Sequence, residues 1–283
     1  MRPPVELIQR GCGRRRALAG LLALALGLST SCVRPPSSPT PREVRVLVYN
    51  VHAGKDAAGA DNLARVADLV RETRADIALL QEVDRSTRRS GQVDQPDLLA
   101  RRTGFAVAFG KTLDYDGGEY GITVLSRWPI AQETLIRLRV EPPQRRAGGS
   151  YEPRGAQRVV VRTPAGDLVV INTHLDASRE DHYRRQEIRQ VIDLARDAGP
   201  LVLVGGDFNS TPESEVQADA RSGGLRDAWL LCGRGDGLTY PAGTPTKRID
   251  YLYLTGTATC TRAEVVETTA SDHRPLLVTV QLR

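Results

Sequence analysis

Runs of aliphatic and β-branched residues recur along this chain, and most of them end in a short cluster of Asn, Asp, Glu or His. Residues 44–49 have the β-branched content of a strand and end at Asn50-Val51-His52. Leu63, Val66, Leu69 and Val70 lie at helical spacing, with Asn62 near the start of the turn. Residues 77–80 form a second buried strand, ending at Gln81-Glu82-Val83-Asp84. An arginine-rich stretch follows, then a helix at about 98–102 and a strand at 105–109. Residues 114–121 (DYDGGEYG) read as a Gly-rich loop before a strand at 122–125. The pattern predicts further strands at 133–140, 157–162 and 168–172, then a long helix at 180–198 carrying Ile188, Val191, Ile192 and Leu194. A buried strand at 201–204 runs into Gly205-Gly206-Asp207-Phe208-Asn209-Ser210-Thr211-Pro212, with a helix starting near Glu213. The last strands fall at 249–254, 263–267 and 276–282. Strands outnumber helices and do not alternate cleanly with them. That disfavours a Rossmann or barrel fold and points to an α+β layered fold.

Charge changes the picture only once it is located. The 283 residues carry a formal charge of +5, which would suit a nucleic-acid binder. Five arginines and one glutamate precede Cys32, and without them 34 basic residues face 33 acidic ones. Arginines 85, 88, 89, 101, 102, 145, 146 and 154 could still line a basic groove, but near-neutral charge favours solvated surface positions.

The N-terminal stretch has the make-up of an export signal. Arg14-Arg15-Arg16 precede an apolar run at 17–28 and the small residues Ser29-Thr30-Ser31. The run is short for a membrane span. Cys32 then resembles the acceptor of a bacterial lipobox, although Leu28 sits one residue too far from it. The expected organisation is a signal at 1–31, a Pro/Ser-rich linker at 32–42 and one domain at 43–283. Export to the cell envelope with a lipid anchor at Cys32 follows, with a periplasmic or secreted form as the alternative. Cys232 and Cys260 could pair in an oxidising compartment or remain buried thiols.

The chemistry sits at the strand ends. Asn50 and His52, Glu82, His174, Asp207 and Asn209, Asp250, and Asp272 with His273 each follow or precede an apolar run. Each alone reads equally well as a loop residue, and Asp207 with Asn209 as an Asx turn. Together they offer oxygen ligands for a hard divalent cation and imidazoles for proton transfer.

In this order the motifs resemble the endonuclease/exonuclease/phosphatase superfamily, which includes DNase I. They are Asn50, Leu80-Gln81-Glu82, Tyr120-Gly121 with Leu125-Ser126-Arg127, Asn172-Thr173-His174-Leu175, Gly206-Asp207-Phe208-Asn209, Arg248-Ile249-Asp250-Tyr251 and Ser271-Asp272-His273-Arg274-Pro275. The resemblance implies a four-layer α/β/β/α sandwich, DNase I-like, and an Mg²⁺- or Mn²⁺-dependent phosphoric ester hydrolase, foremost a phosphodiesterase. It implies Glu82, Asn50 and Asp272 as metal ligands. Asp207 would align the attacking water, Asn209 the phosphate, and His273 would be the acid/base oriented by Asp250. His174 would stabilise the phosphoryl charge, and Tyr120 would contact substrate. Arg154 is the candidate phosphate contact outside these motifs. His52 departs from the acidic residue of many nucleases of the family. The substrate could be a nucleic acid, a phospholipid head group or a small phosphodiester; no obligate protein partner is evident. A surface lipoprotein keeping the fold as a binding module would not need all of Glu82, His174, Asp207, Asn209, Asp250 and His273.

Overall fold

Hydrophobic periodicity along each strand sorts residues onto two faces and so builds layers. In strand β1 (Glu43–Asn50), Val44, Val46 and Val48 face one core while Leu47 and Tyr49 face another. That alternation requires something apolar on both sides of the sheet. The computed structural model describes residues 43–143 and 152–282, and in it two six-stranded sheets pack face to face. The leader, the linker, Cys32, Arg145 and Arg146 lie outside the described residues.

The remaining strands are β2 (Ile77–Arg85), β3 (Ala106–Tyr115), β4 (Gly118–Ser126), β5 (Ile130–Arg137), β6 (Gly155–Thr163), β7 (Gly166–His174), β8 (Val202–Asp207), β9 (Arg226–Asp227), β10 (Asp250–Leu254), β11 (Thr259–Val265) and β12 (Leu276–Gln281). One sheet runs β11-β12-β1-β2-β4-β3 and the other β5-β6-β7-β8-β10-β9. Helices α1 (Leu63–Glu72) and α2 (Gln95–Thr103) cover the first sheet through Leu63, Val66, Val70 and Leu99. Helices α3 (His182–Asp197) and α4 (Glu215–Ser222) cover the second through Ile188, Val191, Val216 and Ala220. The four-layer α/β/β/α sandwich expected from the motifs is the fold observed.

A short helix α5 (Ala228–Cys232) and β9 fall where the sequence pattern gave no element. Cys232 of α5 is disulfide-bonded to Cys260 of β11, which resolves the two alternatives for these thiols. The expected loop at 114–121 is mostly strand: β3 and β4 form a hairpin that turns at Asp116 and Gly117, both at positive φ. Two-residue turns of this hand suit hairpin twist, so Gly117 marked the turn and not a long loop.

Two motif residues work as a clamp between the sheets. Asn172 Nδ2 donates to the carbonyls of Leu80 (3.0 Å) and Thr123 (3.1 Å), and Gln81 Nε2 donates to Asn172 Oδ1 (2.7 Å). Both side chains are buried, so these bonds answer a desolvation cost that apolar neighbours could not. Gly206 has φ +150°, and a Cβ there would lie 1.8 Å from the carbonyl oxygen of Thr173. Only glycine lets β8 approach β7 this closely, which aligns the strand ends described next.

Candidate active site

Strand polarity gathers the polar strand ends at one edge. β1 and β2 run parallel, as do β7 and β8. Their carboxyl-terminal ends therefore present Asn50, Glu82, His174 and Asp207 on the same side, where open α/β sheets place ligands. β10 and β12 are antiparallel to β8 and β1. Asp250 at the start of β10, and Asp272 and His273 just before β12, thus arrive at that edge too. Asp207 is flanked in register by His174 on one side and Asp250 on the other.

Left-handed backbone aims several of these groups. Glu82 has φ 57° at a bulge where β2 shifts register against β4. Without the bulge its carboxylate would alternate onto the helix-covered face; with it, Glu82 reaches the cavity. Asn209 has φ 47°, so the backbone turns left-handed there. The Asx turn read from the sequence forms, Asn209 N–H donating to Asp207 Oδ1 at 2.8 Å. The turn and the site are the same structure.

A cavity of about 570 Å³ opens at this edge. Glu82, Tyr120, Arg154, His174, Asp207, Asn209, Asp272 and His273 are among the residues that line it. Asn50 and Asp250 lie just behind the wall. Asn50 Nδ2 donates to both Glu82 Oε1 and Asp207 Oδ2, each at 3.0 Å, and so ties the two carboxylates together. Ser271 Oγ donates to the carbonyl of Asn50 (2.8 Å), pinning the Asp272 loop to β1.

His273 Nδ1 and Asp250 Oδ2 are 2.9 Å apart, and His273 Nε2 is 3.7 Å from Asp207 Oδ2. Burial works against a charged ring, yet Asp250 and Asp207 together outweigh it and push His273 up to about 10. Burial and the neighbouring Asp250 raise Asp207 well above the carboxylate range, against the pull of His273 and Asn50. His174 differs: burial first, then the Arg154 guanidinium and His273, hold it well below its ordinary value, so it is neutral. Burial chiefly, with the charge of Glu82 next, holds the Tyr120 hydroxyl protonated.

Several residues at the site carried no clear sequence signal. Glu152 forms a buried ion pair with Arg154. Arg89 grips Asp84 through two bonds (2.7 and 2.8 Å) and lies over the rings of Tyr115 and Tyr120. Tyr240 packs on the His273 ring at 4.8 Å between centroids. No spacing rule links these residues to the motifs they touch. His52 Nδ1 lies 3.8 Å from Asp272 Oδ1, so the departure from the family's acidic residue sits against a proposed metal ligand.

The donor set fits a hard divalent cation. Glu82 lines the cavity with no ion pair among the described residues, and Asp272 lines it too. Carboxylates with an amide oxygen behind them are the ligands such a cation prefers. Asp207, Asp250 and His273 also bring one ligand atom each within 4.8 Å of one another. In that group the Asp250–His273 hydrogen bond already occupies one atom of each residue.

Glu187 on α3 is a buried acid under this site. Burial, opposed by the Asp176 N–H that it accepts (2.8 Å), raises it to about 7 from 4.5. The folded state therefore keeps this proton between those pH values while the unfolded chain has lost it. Stability contributed by the neutral acid is full below about pH 4.5 and is lost as pH rises through about 7. Relative to a Glu187→Gln variant, the wild type is expected to lose roughly 3 kcal/mol across that window. Urea melts of both proteins at each end would show it, and parallel pH slopes would contradict it.

Fold and site together define a layered sandwich with a buried acid–histidine centre at one edge of its sheets. The chain belongs to the Endonuclease/Exonuclease/phosphatase family, whose model matches residues 47–273. It is 27% identical over 251 residues to YbhP, an uncharacterized protein of Escherichia coli (strain K12), covering 84% of this chain and 96% of the relative. An endonuclease/exonuclease/phosphatase family protein from Bacteroides thetaiotaomicron shares the fold with a TM-score of 0.72 at 18% identity, over 85% of this chain and 98% of that one. A mannosyl-6-phosphatase from the same organism does so with a TM-score of 0.70 at 18% identity, over 84% and 99%.

Proposed function

We propose that this protein is an Mg²⁺- or Mn²⁺-dependent hydrolase of small phosphate esters, phosphodiesters foremost. The observation that carries this reading is the convergence of Asp207, the His273–Asp250 pair and the Asn50-linked Glu82 in one cavity. Phosphoester hydrolysis needs a positioned water, a proton acceptor and compensation for charge on the phosphoryl oxygens. Asp207, 3.7 Å from Nε2 of both histidines, is placed to align the water and take its proton. His273, protonated beside two carboxylates, is placed to supply a proton to the departing oxygen. Asn209 Nδ2 and His174 Nε2 face the phosphoryl group. Glu82, Asn50 and Asp272 would hold the cation, which neutralises charge on the phosphoryl oxygens when bound.

The size of the cavity, and the ion-pairing of all the candidate groove arginines among the described residues except Arg102, favour a compact substrate over duplex nucleic acid. Arg85, Arg88, Arg89, Arg101 and Arg154 are ion-paired with Glu119, Asp116, Asp84, Asp97 and Glu152. A basic groove would need those charges free. Arg179 and Lys247, exposed on the cavity's lip, have no ion pair among the described residues and suit an anionic small molecule. The mannosyl-6-phosphatase neighbour acts on a compact ester by its name, which accords with this reading.

The expected result is turnover of bis-p-nitrophenyl phosphate and of sugar or inositol phosphates with Mg²⁺ or Mn²⁺, abolished by EDTA, and slow cleavage of plasmid DNA. EDTA-resistant turnover, or none with any ester, would overturn the assignment. We also propose export, with lipidation at Cys32. The leader's composition supports it, as does the Cys232–Cys260 disulfide, since such bonds persist in oxidising compartments.

A further inference from the structure

The two histidines of the site are held by opposite kinds of partner. His273 Nδ1 meets a carboxylate, Asp250 Oδ2, at 2.9 Å. His174 Nδ1 meets a guanidinium, Arg154 Nη1, at 3.0 Å. Arginine has donors and no acceptor, so Nδ1 of His174 has to be the accepting atom. The ring proton then sits on Nε2. A carboxylate at Nδ1 imposes the reverse: it holds a proton on Nδ1 of His273, and the second proton, on Nε2, is the one that ring can give up.

Arg154 is fixed in this role. Its side chain is 3% exposed and is ion-paired with Glu152, also 3% exposed. Both lie just before β6, whose Ala156 pairs in register with Thr173, next to His174. The register of β6 on β7 thus delivers the guanidinium to the back of the imidazole.

At the front of the ring, Asn209 Nδ2 lies 3.0 Å from His174 Nε2 and donates to the carbonyl of Leu175 at 3.0 Å. With the proton on Nε2, this approach joins two donors and supplies no acceptor. The Asp207 carboxylate is further away, at 3.7 Å. An oxygen placed in the cavity against both groups would accept from both. Its natural source is a phosphoryl oxygen, which carries charge and spare lone pairs.

We propose that Arg154, braced by Glu152, is a positioning residue that locks His174 as its Nε2–H tautomer, the form in which that ring can donate to a phosphoryl oxygen beside Asn209. This rests on the phosphoester reading for the accepting oxygen, though the tautomer itself does not. Arg154 lines the cavity as well, but the role proposed here is exerted through His174. The lock also bars His174 from serving as a general base, which leaves proton acceptance to Asp207.

The test is ¹⁵N–¹H correlation spectroscopy of the ¹⁵N-labelled full chain at neutral pH, with His174→Gln used to assign the signal among the four histidines. The wild type is expected to show a proton on Nε2 of His174 and an unprotonated Nδ1. A Glu152→Gln/Arg154→Met double variant, which removes the buried charges as a pair, is expected to populate the Nδ1–H tautomer. Its kcat is expected to drop about 10- to 100-fold with KM changed less than about 3-fold. Arg154→Lys, still a donor, is expected to keep the tautomer and much of kcat. An Nδ1–H or doubly protonated His174 in the wild type would overturn the proposal. So would a folded double variant with the wild-type tautomer and kcat. If the double variant does not fold, the wild-type spectrum decides alone. If no phosphoester is turned over, the spectrum still decides the lock while the functional reading falls separately.

Discussion

A His273→Gln protein is expected to lose about 10²- to 10⁴-fold in kcat for phosphoester hydrolysis, the range typical of removing a positioned general acid. His273 is the one imidazole in the site with carboxylates on both sides, Asp250 at 2.9 Å and Asp207 at 3.7 Å. Glutamine can keep a hydrogen bond to Asp250 but cannot carry the proton. KM is expected to move little, because the lost interaction matters mainly as the leaving oxygen gains charge. Asp250→Asn is expected to fall between the two, since it leaves the imidazole in place but removes what orients it. Steady-state kinetics with a small diester, alongside thermal melts to confirm folding, measure both. A His273→Gln enzyme within about 3-fold of wild type would rule out its assignment as the acid.

Glu82→Gln is expected to weaken divalent-metal binding by at least about 10-fold and activity at limiting Mg²⁺ by more than that. Asn50 Nδ2 can still donate to the remaining amide oxygen, so the local geometry survives while one ligand charge goes. Melting of the metal-free variant is expected to match wild type, since Glu82 forms no ion pair among the described residues and is only half-buried. Calorimetric titration with Mn²⁺ tests the binding arm without relying on turnover. Unchanged Mn²⁺ affinity would remove Glu82 from the ligand set.

How much of this was legible in the chain depends on the range of the interaction concerned. Strands such as β1 and β8, and helices such as α1 and α3, were readable because their periodicity is local and strong. β9 and α5 were not, being two and five residues long, too short for a period to show. The hairpin of β3 and β4 has the composition of a loop because of its glycines, whereas pairing across the turn makes it strand. Gln81 and Asn172 stood out as motif residues, yet their role as a clamp between sheets appears only once the sheets are packed.

The candidate site divides along the same line. The residue types at the strand ends, and their order, were determined by the sequence alone, and so was the family they resemble. So was the placement of excess positive charge ahead of Cys32. Tertiary structure decided which of these groups touch. Asn50 meets Asp207 across 157 residues and His273 meets Asp250 across 23, and no local rule foretells either contact. It also decided protonation, because burial and neighbouring charge, which push His273 up and His174 down, are properties of packed space. Arg154 shows the difference most plainly. In the chain it is an arginine between a proline and a glycine, and a plausible phosphate ligand. In the fold it still lines the cavity, and its guanidinium also meets Nδ1 of His174, because the register of β6 on β7 brings the two together.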